Sequence, residues 1–244
     1  MKIALCLIAL LVFLPQPSFA AKGDYVVLLH GIGRTKDSME KMGESLTEKG
    51  YVVINIDYAS RDKKIEDLVV DVREEIVGHH IPAVQKINLV GHSMGGLIIR
   101  AYIHKYKPEN LGRVVMLGTP NQGSEVADLL SDTGMFKAFY GPAGQELVTD
   151  QTAFKKIFGT IHYDLGIIAG DRSIDPLSSL VIPGDDDGKV AVKRTKIKGM
   201  KDHIVVHATH TFMPSNETVM EQTEYFLEHG KFLREPGVLS ATPL

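Results

Sequence analysis

Short unbroken apolar runs alternate along this chain with longer stretches in which apolar residues return every three or four positions. Tyr25-Val-Val-Leu-Leu-His30 has no polar interruption until its end, the pattern of a strand buried on both faces of a parallel sheet. Residues 36–49 follow with helical spacing at Met39, Met42 and Leu46 and stop at Gly50, a helix-ending residue. Tyr51 to Ile56 reads as the next strand, and 63–77 as an amphipathic helix carrying Ile65, Leu68, Val69, Val72 and Ile76 on one face. The theme repeats with a strand at Ile87–Val90, a helix from about Met94 to Tyr106, and a strand at Val114–Leu117. Later strands are expected at Ile167–Ala169 and Ile204–Ala208, and a closing helix at 215–229. Such β-α alternation predicts an α/β chain, a compact, doubly wound and mostly parallel sheet whose ligands sit at the carboxyl ends of its strands.

Two segments break the rhythm. Residues 121–163 contain Gly-Pro-Ala-Gly at 141–144, the aromatics Phe136, Phe139, Tyr140, Phe154 and Phe158, and no clean strand. Long connections of this kind are usually functional. Two readings stand: a packed helical excursion completing the core, or a short helical cap over a substrate cleft. The second exception is the start of the chain. Lys2, an apolar run from Ile3 to Leu14, and small residues at Ser18 and Ala20 have the anatomy of a cleavable signal peptide over residues 1–20. The apolar run is too short for a spanning helix, which needs roughly 20 residues, so an uncleaved anchor is the weaker alternative. The chain is then expected to be exported, to the periplasm or beyond the cell, with residues 21–244 forming one domain. No repeat, low-complexity tract or linker divides them.

Composition narrows the chemistry. A net charge of −3 offers no basic excess for a phosphate backbone, which argues against nucleic acid as a partner. The single cysteine, Cys6, lies inside the leader, so a disulfide framework or thiolate metal cluster within the chain is excluded.

One motif carries most of the chemical signal. Gly91-His92-Ser93-Met94-Gly95-Gly96 fits G-x-S-x-G, after an apolar strand and before an amphipathic helix. A serine on so tight a turn is held in strained backbone geometry with its hydroxyl above the sheet, and Gly91 and Gly95 let neighbouring backbones approach. The Met94 amide, at a helix N-terminus, can stabilise an oxyanion. A second element supports it. The first strand runs into Leu29-His30-Gly31-Ile32-Gly33, where glycine allows a sharp turn and Ile32 is the residue expected to supply a second oxyanion donor. His30 is a tempting base, but within this turn it reads as a structural, hydrogen-bonded histidine.

These two segments resemble the α/β-hydrolase superfamily, specifically small bacterial serine lipases and esterases, over residues 23–233. The resemblance implies an α/β-hydrolase fold and a nucleophile, acid and base that follow in that chain order. The base is then a histidine beyond the acid. Of the late histidines, His203 and His207 flank or lie within the strand 204–208, with His207 read as structural, and His229 sits at the end of the closing helix. His210 alone combines a position at the sheet's carboxyl edge with the mobility to reach Ser93. Matching the family's Asp-Gly-x-Val segment onto Asp187-Gly-Lys-Val190 assigns Asp187 as the acid. The neighbouring Asp185 and Asp186 read as solvated turn carboxylates or calcium ligands. The family's alternative acid position, after the strand ending near Leu117, reads Gly118-Thr119-Pro120-Asn121 and offers no carboxylate before Glu125. A zinc reading of His207 and His210 lacks a third ligand.

The expected activity is that of a serine carboxyl-ester hydrolase working through an acyl-enzyme, with no cofactor and no metal. Its partner is a small-molecule or lipid ester, with transient contact at a membrane surface. An amidase, thioesterase or acyltransferase would use the same three residues. A peptidase on this fold and a non-catalytic binding protein complete the alternatives. The five basic residues between Lys193 and Lys201 read as a solvated stretch or as an anionic-lipid patch.

Overall fold

A computed structural model of the chain describes residues 23–124, 141–144, 146, 156–175 and 179–234. The proposed signal peptide, the aromatics Phe136, Phe139, Tyr140 and Phe154, and Glu125 lie outside the described residues.

The apolar runs become β1 (Tyr25–Leu29), β2 (Val52–Ile56), β3 (Ile87–His92), β4 (Leu111–Leu117), β5 (Leu165–Gly170) and β6 (Asp202–Val206). They form one six-stranded sheet in the order β2-β1-β3-β4-β5-β6, every pair parallel. The helices are α1 (Glu40–Glu48), entered through a 3-10 turn at Lys36–Met39, α2 (Ile65–Gly78), α3 (Met94–Tyr106), the short α4 (Val192–Thr195) and α5 (Glu217–His229). Strand periodicity divides the core between two faces. Val27 and Leu29 of β1, with Val114 and Met116 of β4, pack with α2 and α3. Val26 and Leu28, with Val115 and Leu117, pack with α1 and α5. Burial on both sides is why these strands carry no alternation.

Departures from the expected boundaries have local causes. β6 begins at Asp202 and ends at Val206 rather than spanning 204–208, because it is an edge strand with partly exposed polar residues at its start. Ala208 has already turned out of the ladder, its amide bonding back to the Val206 carbonyl at 2.7 Å. The closing helix starts at Glu217 because Asn216 caps it, its side-chain oxygen accepting from the Val219 amide at 3.1 Å. Arg234 then forks onto the Asp202 carboxylate at 2.8 and 2.5 Å, tying the segment that follows α5 to β6. Within the insertion, Ala143 and Phe158 are buried in the α2–α3 layer, so these two residues complete the core.

The chain leaves β1 for β2 on one side and reaches β3 on the other. This reversal opens a crevice above the carboxyl ends of β1 and β3, the default ligand position of an open parallel sheet. Among the described residues, no helix is long and apolar enough to cross a membrane.

Candidate active site

Ser93 stands between the last residue of β3 and the first of α3, with φ 54° and ψ −123°. A side chain pays roughly 1–3 kcal/mol for such backbone geometry, which persists only where its surroundings fix it. Here both ends are held. The Ser93 amide donates to the Leu117 carbonyl at 2.8 Å, and its own carbonyl accepts from the Gly96 amide at 3.1 Å and the Thr119 hydroxyl at 3.0 Å. The helix start presses directly on β1. A Cβ at Gly95 would lie 2.3 Å from the Leu29 carbonyl oxygen and 2.7 Å from that of His30, so no side chain fits. At Gly91 it would meet the Gly95 backbone at 2.6 Å.

His210 and Asp187 arrive from the loops beyond β6 and β5. The His210 Nδ1–H donates to Asp187 Oδ2 at 2.7 Å, leaving Nε2 to accept the Ser93 hydroxyl at 2.9 Å. The other Asp187 oxygen accepts the amides of Lys189 at 3.0 Å and Val190 at 2.8 Å. The His210 amide also bonds to the Asp187 carbonyl at 2.9 Å, so the two loops are joined through main chain as well as side chains. Both residues are buried. The mobility expected of the His210 loop is therefore replaced by a fixed connection. Gly118, just past β4, marks a further close approach: a Cβ there would stand 2.9 Å from Asp187 Oδ2 and 3.1 Å from His210 Nδ1.

The turn after β1 lies against the serine, with the ideal Cβ of Gly31 only 3.2 Å from the Ser93 Cβ. It is closed by Arg34 N–H to the Gly31 carbonyl at 3.3 Å and anchored by Gly33 N–H to Ser60 Oγ at 3.0 Å. Ile32 sits in this turn, partly buried against the core. Met94 opens α3, where a helix leaves its first amides without intrahelical partners. His30 lies beneath. Its Nδ1–H donates to the Gly31 carbonyl at 2.8 Å, its ring stacks on Tyr58 at 4.0 Å, and the Tyr58 hydroxyl bonds its carbonyl. Burial lowers its pKa, opposed by Gly31 and Asp57.

The contribution of His92 has only a faint signature in the sequence. The ring is buried between the turn and the base: its Nε2–H donates to the His210 carbonyl at 2.9 Å, and its Nδ1 faces the position a Gly31 Cβ would take, at 3.1 Å. Burial, reinforced by His210 itself, holds His92 well below the ordinary imidazole pKa, so the ring is a neutral donor. Thr119 was equally hidden, since its bond to Ser93 joins the turns that follow two different strands, β3 and β4. A histidine inside G-x-S-x-G and a threonine beyond the adjoining strand were the only hints.

The other late histidines go elsewhere. His207, expected as a structural residue of the strand, is instead exposed beyond the end of β6 and pairs with Asp171 at 3.0 Å. His203 meets the Thr195 hydroxyl at 3.0 Å, and His229 stacks on Tyr225. Asp186 closes its own turn by accepting from Ser179 Oγ and the Gly188 amide, while Asp185 is exposed. Among the described residues, no three such side chains converge on a common metal position. Of the basic stretch, Lys201 pairs with Asp164 at 2.6 Å.

Comparison with known proteins bears on the family and the fold. A family model described as palmitoyl protein thioesterase matches residues 25–162. A triacylglycerol lipase from Pseudarthrobacter phenanthrenivorans is 30% identical over 156 residues, 59% of this chain and 46% of the relative. The human lysosomal thioesterase PPT2 is 25% identical over 255 residues, covering 88% of this chain and 78% of its own. The chain spans about half the length of the triacylglycerol lipases it matches first. Among solved structures, the mature form of the Bacillus licheniformis lipase BlEst2 superposes with a TM-score of 0.66 at 21% identity, over 88% of this chain and 92% of that one. At that identity the likeness concerns architecture, and the architecture is the α/β-hydrolase fold.

Proposed function

The chain belongs to the palmitoyl protein thioesterase family, and from that premise we propose that it is a serine acyl hydrolase acting on carboxylic esters. The observation that carries this reading is the continuous hydrogen-bonded line Ser93–His210–Asp187, ending on a serine whose backbone is held at φ 54°.

The steps follow from the atoms. Ser93 Oγ attacks the acyl carbonyl as His210 Nε2 takes its proton, and Asp187 keeps the imidazole in the required tautomer and stabilises the imidazolium. Charge gathers on the carbonyl oxygen, where the amides of Ile32 and Met94 serve as donors; one such donor typically contributes ~10²–10³ in turnover. Collapse expels the alcohol with the proton returned by His210, and water repeats the sequence on the acyl-enzyme. No step calls for a cofactor. Purified protein with an activated ester tests this directly. Ser93→Ala should lower kcat by about 10⁶-fold, as loss of such a nucleophile usually does. A variant retaining activity within about tenfold of the parent would remove Ser93 from the chemistry.

A thioester is the second reading, favoured by the family itself and by the coverage of the human thioesterase. Oxygen and thio esters of one acyl chain, compared by kcat/KM, separate the two. The leader at 1–20 supports export to the periplasm or the medium. Detection of a shortened chain beginning near Ala21 outside the cytoplasm is the corresponding measurement.

A further inference from the structure

At the far end of α3 from Ser93, about 20 Å along the helix, the sheet's amino edge carries a second cavity of about 460 Å³. That size lies within the range of small-molecule sites. Its wall is partly apolar, from Ile103, Pro108, Leu111 and the Tyr163 ring, and partly cationic, from Arg100 and Lys107. Among the described residues, no carboxylate lines it.

Arg100 is the unusual component. Its residue is only 4% exposed, yet among the described residues no acid pairs with it. Nη1 donates to the Asn121 carbonyl at 3.2 Å and side-chain oxygen at 3.1 Å, and the guanidinium lies over the Phe158 ring at 5.3 Å. Nε is buried without a partner, as is the Tyr163 hydroxyl. Burial pulls the guanidinium pKa down to about 10. A buried cation of this kind is stabilised most by an anion. Lys107 adds a second charge at the rim, likewise without an acidic partner among the described residues, at a left-handed position (φ 46°) where glycine is the usual choice. The carboxyl end of α3 contributes about half a negative charge there, which two full cations outweigh.

We propose that this cavity is a binding site for a small carboxylate carrying an apolar tail. The guanidinium and ammonium take the head and the apolar wall takes the tail; a bare, hydrated phosphate would leave that wall unused. The class of ligand comes from the cavity alone. That the chain produces such an acid itself rests on the hydrolase reading above.

Calorimetric titration of octanoate into the parent protein and into Ser93→Ala tests the site without relying on turnover. Saturable binding to both is expected, weakened about tenfold to a hundredfold in Lys107→Ala and Arg100→Met by loss of a charge-assisted contact. Acetate, lacking the tail, and octanol, lacking the charge, should bind at least about tenfold more weakly. Absence of saturable octanoate binding overturns the proposal. So does unchanged affinity in Lys107→Ala, which would place octanoate elsewhere, or inorganic phosphate binding as tightly as octanoate. Arg100 is buried; should Arg100→Met not fold, the exposed Lys107 decides alone. A protein that binds octanoate yet hydrolyses no ester would end the hydrolase reading and leave this site standing.

Discussion

The nucleophile and its two helpers are held by different means. Ser93 is positioned mainly by its own neighbourhood in sequence, a strand, one strained residue, two glycines and a helix along β3 and α3, with the Leu117 carbonyl and the Thr119 hydroxyl bonding its backbone from the end of β4. His210 and Asp187 are positioned by contacts between loops that follow β6 and β5, and by a ring from a third strand, His92. The first arrangement is built into short-range geometry and is inseparable from folding. The second is a long-range assembly that can lose its chemistry while the fold persists. Activity and stability should therefore separate at one half of the site and move together at the other.

Asp187→Asn applies the strongest test. The amide oxygen can still accept from Lys189 and Val190, but its NH₂ group would face His210 and favour the wrong tautomer. A fall in kcat of about 10⁴-fold is expected, with a melting temperature near that of the parent. A comparable loss of stability would show that the long-range half is not separable. Gly95→Ala probes the local half. Its methyl meets two backbone oxygens and should cost about 3 kcal/mol, lowering Tm by roughly 10 °C together with activity. His92→Phe keeps the ring's bulk but loses the donor to the His210 carbonyl. It should reduce kcat about tenfold with KM little changed, and His92→Gln, which restores a donor at similar reach, should recover most of it. Equal rates in both variants would reduce His92 to a space-filling role.

The smallest effect lies away from the chemistry. Burial draws His203 down to about 4 from its ordinary 6.5. As pH falls, the unfolded chain takes up this proton before the folded one, so the contribution is complete above about pH 6.5 and lost on the way to about pH 4. Discounted for partial exposure, it amounts to about 1–2 kcal/mol. His203→Gln should flatten the dependence of Tm on pH in that window, and an unchanged slope would refute the assignment.

This contrast also explains what could be read from the chain beforehand. The parallel sheet was legible because strands buried on both faces need uninterrupted apolar runs, and α3 was legible to the residue because Ser93 fixes its start. Asp187 was found through the family's Asp-Gly-x-Val segment and His210 through family order and its place at the sheet's carboxyl edge, since nothing within a few residues of either dictates that they meet. His92 and Thr119 escaped because each acts on a residue brought close only by the finished sheet. His207 was misjudged because an edge strand ends sooner than its apolar letters suggest.

The missing side chain at Gly118 has a consequence for how such sites diversify. The carboxylate–imidazole contact occupies the very space that an ordinary residue after β4 would fill, so the two strand ends compete for one small volume. An acid introduced at 118 could not simply be added to this arrangement; it would have to evict Asp187. Relocating the acid is thus an exchange of tenants, and any chain passing from one layout to the other must change both positions before it regains full turnover.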